Sequence, residues 1–313
     1  MSAKKYKTKR KPLLRELKST WPLYAMFALP AIWFLIFSYV PMVGIFMAFS
    51  EFEPGSGILG FFTGEWVGLK HFVRFFSSYY AWRIIRNTVA ISFLDILVNF
   101  FSPILLALMF NEIINKTFKK VAQSITYLPK FISMVVIVSI LRQLLGYTDG
   151  MFNNIIEAFG GKRIYFLSEP KYFWAIFTLM NTWATIGWSS IVYVSAISAL
   201  PPDLYEACKM DGGGRFRMMW NVTLPGIRNT IMIMFILRMG TILTVGLEPI
   251  LLLSSTILYD RAEVLSLHIY NYGMKDMDYS YAAAVGLLQS VFGLIMVLIT
   301  NAISRKVANY GLW

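Results

Sequence analysis

Pro201-Pro202-Asp203-Leu204-Tyr205-Glu206-Ala207-Cys208-Lys209-Met210-Asp211-Gly212-Gly213-Gly214-Arg215-Phe216, running on to Thr223-Leu224-Pro225, is the stretch from which the rest of the chain is read. Two prolines stop whatever helix precedes them, because proline lacks an amide hydrogen and its ring clashes with the preceding turn. Asp203 has the chemistry of a helix cap, and Glu206 three residues on completes a capping-box pattern. This predicts a short helix over about 204–210. Three glycines then permit a sharp reversal with positive φ. A second short helix over about 215–223 is expected to end at Leu224-Pro225. The product is a helical knob, apolar on one side (Leu204, Ala207, Met210) and polar on the other, a shape that suits insertion into a groove on a partner.

On either side of this polar interlude the sequence is apolar for more than 20 residues, at 172–199 and 230–253. Similar stretches occur at 23–49, 84–110, 122–145 and 281–303. Each is long enough to cross roughly 30 Å of hydrocarbon at about 20 residues per helix. The runs are continuous rather than alternating, which favours helices over a barrel. Composition agrees: 57% of the 313 residues are hydrophobic and 15% charged, against roughly 25% charged in an ordinary soluble domain. The nine Trp, 17 Tyr and 25 Phe fit rings that collect at membrane interfaces. The expected fold is an all-α membrane protein of six transmembrane helices.

A formal charge of +12 would suggest nucleic acid in a soluble chain. In a membrane chain it first invokes the positive-inside rule, and no nucleic-acid partner is expected. Lys4, Lys5, Lys7, Lys9, Arg10, Lys11, Arg15 and Lys18 crowd the N-terminal tail. Lys116, Lys119 and Lys120, then Lys209, Arg215, Arg217 and Arg228, then Arg305 and Lys306 fall on the same side. They outnumber Lys70, Arg74, Arg83, Lys162, Arg163, Lys171, Arg261 and Lys275 on the other, so both termini and the knob are expected in the cytoplasm. The expected organisation is a basic cytoplasmic tail at 1–21 lying against anionic lipid, an uncleaved first span at 22–50 and an extracellular loop at 51–83. A core at 84–303 includes the loop 200–229, and a cytoplasmic tail covers 304–313. Within 51–83, residues 66–76 read as an amphipathic helix, with Val67, Leu69, Phe72, Val73, Phe75 and Phe76 apolar and Lys70, His71 and Arg74 polar.

No catalytic or metal site is legible. Cys208 is the one cysteine and His71 and His268 are the two histidines, far apart in sequence. His268 is expected in a solvated external loop. Gly160-Gly161-Lys162-Arg163 lacks the upstream glycine and the Ser/Thr of a phosphate loop, so no nucleotide cofactor is expected on this chain. Polar residues inside spans cost at least about 2.5 kcal/mol at a helix centre when charged, and mark functional or partner-facing positions. Asp95 and Asn99 share a helix face at i, i+4, serving either a lumen or a bond between helices. Arg142 and Arg238 can snorkel to an interface. Asn181, Trp183 and Trp188, with Gln289 in the last span, make a partial substrate path that joins aromatic faces to hydrogen-bonding groups, or ordinary bundle packing.

Glu206-Ala207-Cys208, Asp211-Gly212 and Leu224-Pro225 resemble the EAA loop of type I ATP-binding-cassette importer permeases, with Cys208 where the second alanine usually stands. Trp66-Val67-Gly68-Leu69-Lys70-His71-Phe72, Tyr127-Leu128-Pro129-Lys130-Phe131-Ile132-Ser133 and Tyr279-Ser280-Tyr281-Ala282-Ala283-Ala284-Val285-Gly286-Leu287 are similar to the carbohydrate branch. The likeness is strongest to permeases for oligosaccharide or polysaccharide fragments in Gram-positive bacteria. The resemblance implies a multi-pass protein of the cell membrane, a homologous second permease and two ATPase subunits carrying ATP and Mg. It also implies an extracellular sugar-binding lipoprotein. It further implies that Glu206 meets a basic residue of the ATPase and that Gly212 shapes the turn. The loop does not distinguish sugar from an amino acid, phosphate or peptide.

Overall fold

The computed structural model describes residues 13–55, 57, 60 and 64–308. The basic run from Lys4 to Lys11 and the last five residues lie outside them. Among the described residues, three helices are long and apolar enough to cross a membrane: Thr20–Phe49, Ala81–Glu112 and Tyr279–Lys306. Three bent pairs complete six spans when each counts once. The first helix starts at Leu13, inside the expected tail, and changes winding at Leu35–Tyr39 and Val40–Phe49. Its last part packs chiefly against the sixth span, while Met26, Phe27 and Leu29 in its first half are exposed.

The second span packs along the fourth, the third against the fourth, and the fifth against the sixth. These pairings need close backbone approach. A Cβ on Gly187 of the fourth span would lie 2.0 Å from the carbonyl oxygen of Thr126, and one on Gly293 of the sixth would lie 2.6 Å from that of Gly240. Small residues at such crossings let helices touch where lipid tails supply no hydrophobic drive.

Two spans depart from the straight helices expected. The third is broken between Lys116–Phe131 and Met134–Leu145, which meet at 101°. Pro129 opens the tight turn Leu128–Phe131, and Ser133 caps the second helix by accepting from the amide of Val136. The fifth runs as Arg228–Gly240, loses helical form over 241–246, and resumes as Leu247–Leu253. Gln289 of the sixth span donates Nε2 to the carbonyl of Leu243 at 2.9 Å. Arg142 donates to the carbonyl of Leu252 rather than snorkelling free. Bare backbone at membrane depth persists where other groups satisfy it or where it lines a cavity.

The amphipathic helix spans Lys70–Ser77, shorter than 66–76, because Glu65–Trp66 instead pairs antiparallel with Ser50–Glu51. Its orientation also differs from expectation. His71 and Phe75, one turn apart, are the buried pair, while Leu69, Val73 and Phe76 are exposed. Phe75 packs with Ile84, Leu265, Tyr281 and Val285, and His71 is carried inward on the same face.

Candidate functional site

The knob forms as Pro202–Met210 followed by Arg215–Gly226. Pro201 is the N-cap and no side chain caps the helix, so the capping box expected of Asp203 and Glu206 is not made. Proline at the first turn needs no amide partner, which leaves Asp203 to act only as a first-turn charge favoured by the helix dipole. At the other end Gly212 adopts φ +73°. Its amide bonds the carbonyl of Lys209 at 3.0 Å, and that of Gly213 bonds Cys208 at 2.8 Å. This is the Schellman arrangement, which calls for a left-handed residue and hence glycine. A Cβ on Gly213 would meet Cys208 O and Sγ at 2.6 Å, so the turn is also sterically closed.

Glu206, Ala207 and Asp211 are exposed and Cys208 is half-buried. Leu204, Met210, Phe216 and Trp220 are apolar and exposed around them. Among the described residues the Glu206 carboxylate has no ion-pair partner. The second knob helix does not stop at Leu224-Pro225. It widens into a π turn over Met219–Thr223, passes through Leu224 and Pro225 to Gly226, and turns 60° into the fifth span. Tyr205 and Thr223 share a hydroxyl bond of 3.1 Å, tying the two knob helices. Arg215 lies 3.9 Å from Glu112 at the end of the second span, beside a cavity of about 430 Å³ that also involves Leu105, Met109 and Phe216.

A second locus lies inside the bundle. Asp95, the last residue before a π turn of the second span (Ile96–Phe100), and Asn99 within that turn bond each other at 2.8 Å. Thr182 donates to Asn99. Arg238 of the fifth span donates Nη2 to Asp95, so it is an ion-pair partner and not a snorkelling side chain. These residues border two cavities. One, about 300 Å³, is lined by Asp95, Asn99, Asn181, Thr185, Ser189 and Arg238, among others. The other, about 230 Å³, shares Asp95, Asn181 and Arg238 and adds Ser92 and the broken backbone at Thr244–Gly246. Sequence reasoning missed Thr185 and Ser189 here, although Asn181, Thr185 and Ser189 recur at the i, i+4, i+8 spacing of one helix face.

Three expected path residues lie elsewhere. Trp183 stands 200° around the helix from Asn181 by the 100° step per residue. It lines an apolar cavity of about 510 Å³ with Ile137, Leu141 and Phe152. Trp188 packs edge-on against Phe131, ring centroids 5.8 Å apart. Gln289 holds the broken fifth span and reaches the second cavity only through Thr244.

At the bundle end opposite the knob, a buried polar cluster replaces the solvated loop expected around His268. Glu263 pairs with Arg83, and Asn87 donates to the carbonyls of Asp260 and Glu263 at 3.0 and 3.1 Å. The His268 ring nitrogens lie 3.4 Å from Glu263 Oε1 and 3.0 Å from the Tyr281 hydroxyl. Burial pushes the Glu263 carboxyl up, but the hydrogen bonds and charges of His268 and Arg83 outweigh it and hold it below its ordinary value.

With that geometry in place, residues 100–309 match the family described as the inner membrane component of binding-protein-dependent transport systems. The chain belongs to this family. It is therefore a multi-pass membrane permease, the non-enzymatic membrane part of its transporter. The permease is 41% identical, over 98% of its length and 95% of the relative's, to the polygalacturonan/rhamnogalacturonan transport system permease protein YteP of Bacillus subtilis. It is 36% identical to protein LplB of the same organism, over 93% and 91%. The trehalose/maltose permease MalF of Thermococcus litoralis is 24% identical, over 76% and 80%. Among solved structures, a bacterial alginate ABC transporter in complex with its alginate pentasaccharide-bound periplasmic protein contains a chain superposing with TM-score 0.87. That chain is 39% identical, with 96% of the permease and 100% of that chain covered.

Proposed function

We propose that this permease forms half of an import pore for an oligosaccharide, with a homologous second permease. Two ATPase subunits that hold ATP and Mg, and an extracellular sugar-binding lipoprotein, complete the assembly. The observation that carries this reading is the polar pair of cavities between the second, fourth and fifth spans. One of them is bounded by the broken backbone of the fifth span, and both hold the Asp95–Arg238 charges inside the bundle. Intramembrane charges and interrupted helices mark the places where a bilayer-spanning protein handles polar cargo. YteP is named for polygalacturonan and rhamnogalacturonan and the solved neighbour for alginate, all acidic polysaccharides, whereas the more distant MalF is named for neutral trehalose and maltose; the two nearer names support an acidic oligosaccharide as the cargo.

The knob is the lever. Lys and Arg placement supports its lying in the cytoplasm. Its exposed Glu206, Leu204 and Met210 suit a cleft on the ATPase, with Glu206 meeting a basic residue there. Cys208, Asp211 and Gly212 shape the turn, and Leu224 and Pro225 carry its movement into the fifth span. ATP binding draws the knob with the ATPase and biases a rigid-body equilibrium of the spans, which the loaded receptor biases from outside.

The test is to copurify the chain with its partners, identify bound sugar by mass spectrometry, and compare Glu206→Ala. The variant is expected to insert and assemble normally yet lose transport and receptor-stimulated ATP hydrolysis. Transport at the normal rate by Glu206→Ala would sink the lever assignment.

A further inference from the structure

We propose that the Asp95–Arg238 pair is an exchangeable counter-ion switch, in which a carboxylate of the passing oligosaccharide takes the place of Asp95 on Arg238. This rests on the acidic-oligosaccharide reading above and adds the residue that selects the charge. Three observations and the chemistry of the guanidinium point to it. Arg238 is the cation lining both polar cavities, so a carboxylate entering either one meets it. It commits Nη2 to Asp95, and its Nε and Nη1 bond no described residue. A guanidinium offers five donors in a fork that fits a carboxylate two at a time. Both side chains line the cavities, and at 41% exposure against 20% for Asp95 the arginine is the more open of the two.

Asp95 is also provided for when Arg238 turns away. Its Oδ1 accepts from Asn99, which is itself held by Thr182, so the acid keeps a partner inside the membrane. Ser92 Oγ is buried without a partner among the described residues and belongs to the second cavity, where a sugar hydroxyl would complete it. In the empty groove Asp95 neutralises Arg238, which avoids the cost of a lone charge in a bilayer. A neutral sugar offers Arg238 no replacement for Asp95, whereas a uronate does. The pair thus favours charged over neutral cargo at the same position.

The experiment measures equilibrium binding of trigalacturonate and of its fully methyl-esterified form to the complete permease–ATPase complex in nanodiscs, without receptor. The wild type is expected to bind the free acid roughly ten- to hundredfold more tightly than the ester, the difference one charge-assisted pair supplies. Arg238→Gln removes that preference while ester binding stays. Arg238→Lys, which keeps the charge but not the fork, retains part of it. Asp95→Asn, which leaves Arg238 unopposed, strengthens free-acid binding. Copurification of the ATPase subunits with each variant, measured in parallel, separates a misfolded variant from a binding-defective one. Wild type binding acid and ester equally, or a folded Arg238→Gln keeping the preference, overturns the proposal and leaves the importer reading standing. Failure of the wild type to bind either form overturns the acidic-oligosaccharide reading itself.

Discussion

Gly187 and Gly214 are both glycines of the central region, yet the structure assigns them opposite tolerance. Gly187 abuts the Thr126 carbonyl, while a Cβ on Gly214 meets nothing within 4 Å. Gly187→Ala is expected to destabilise the bundle by roughly 1–3 kcal/mol through overpacking, and Gly214→Ala to leave it nearly unchanged. Thermal unfolding of the detergent-solubilised complex checks both. Glu263 gives a pH-dependent case. Its carboxyl is held low in the folded state, so its stabilisation is present above the ordinary carboxylate range and is lost as pH falls through the lowered value. Unfolding measured from about pH 7 down to about pH 3 should show an acid-side loss. Glu263→Gln reduces both the loss and the neutral-pH stability, the latter by about 1–3 kcal/mol. An unchanged slope in the variant would place the acid sensitivity on other groups.

The two knob helices act as one element because Tyr205 and Thr223 join them, and the second leads into the fifth span across a one-residue break at Ile227. Tyr205→Phe and Thr223→Val each remove the same hydroxyl bond, worth about 0.5–1.5 kcal/mol. Their effects on receptor-stimulated ATP hydrolysis are expected to be alike and non-additive, since a shared interaction is lost once. Additive losses in the double variant would mean that the two side chains act through different contacts. The Arg215–Glu112 contact, largely exposed at 3.9 Å, contributes little to stability.

At the scale of the whole molecule, the single cysteine is a built-in reporter of orientation. Cys208 sits on the knob, half-buried. A membrane-impermeant maleimide is expected to leave it unlabelled in intact cells and to label it in inside-out vesicles stripped of ATPase. Labelling from outside would invert the topology and remove the knob from the side where ATP is found. The outer face of the first span, with Met26 and Leu29 bare, requires lipid or another subunit against it, as a half-pore would.

That the chain spans a membrane, roughly where, and that a glycine-hinged knob interrupts it are readable from the residues alone. Apolar run length, charge placement and turn chemistry are local properties of the chain. The Gly212 turn was legible for that reason, and so was the Asp95–Asn99 face. Only the tertiary structure decided that Arg238 answers Asp95 across 143 positions of sequence, or that His71 and His268 are buried. It also turned Trp183 away from Asn181 and broke the third and fifth spans. Those outcomes depend on which helix faces meet, and a residue's own neighbours in sequence carry no record of what arrives from another helix to satisfy or bury it.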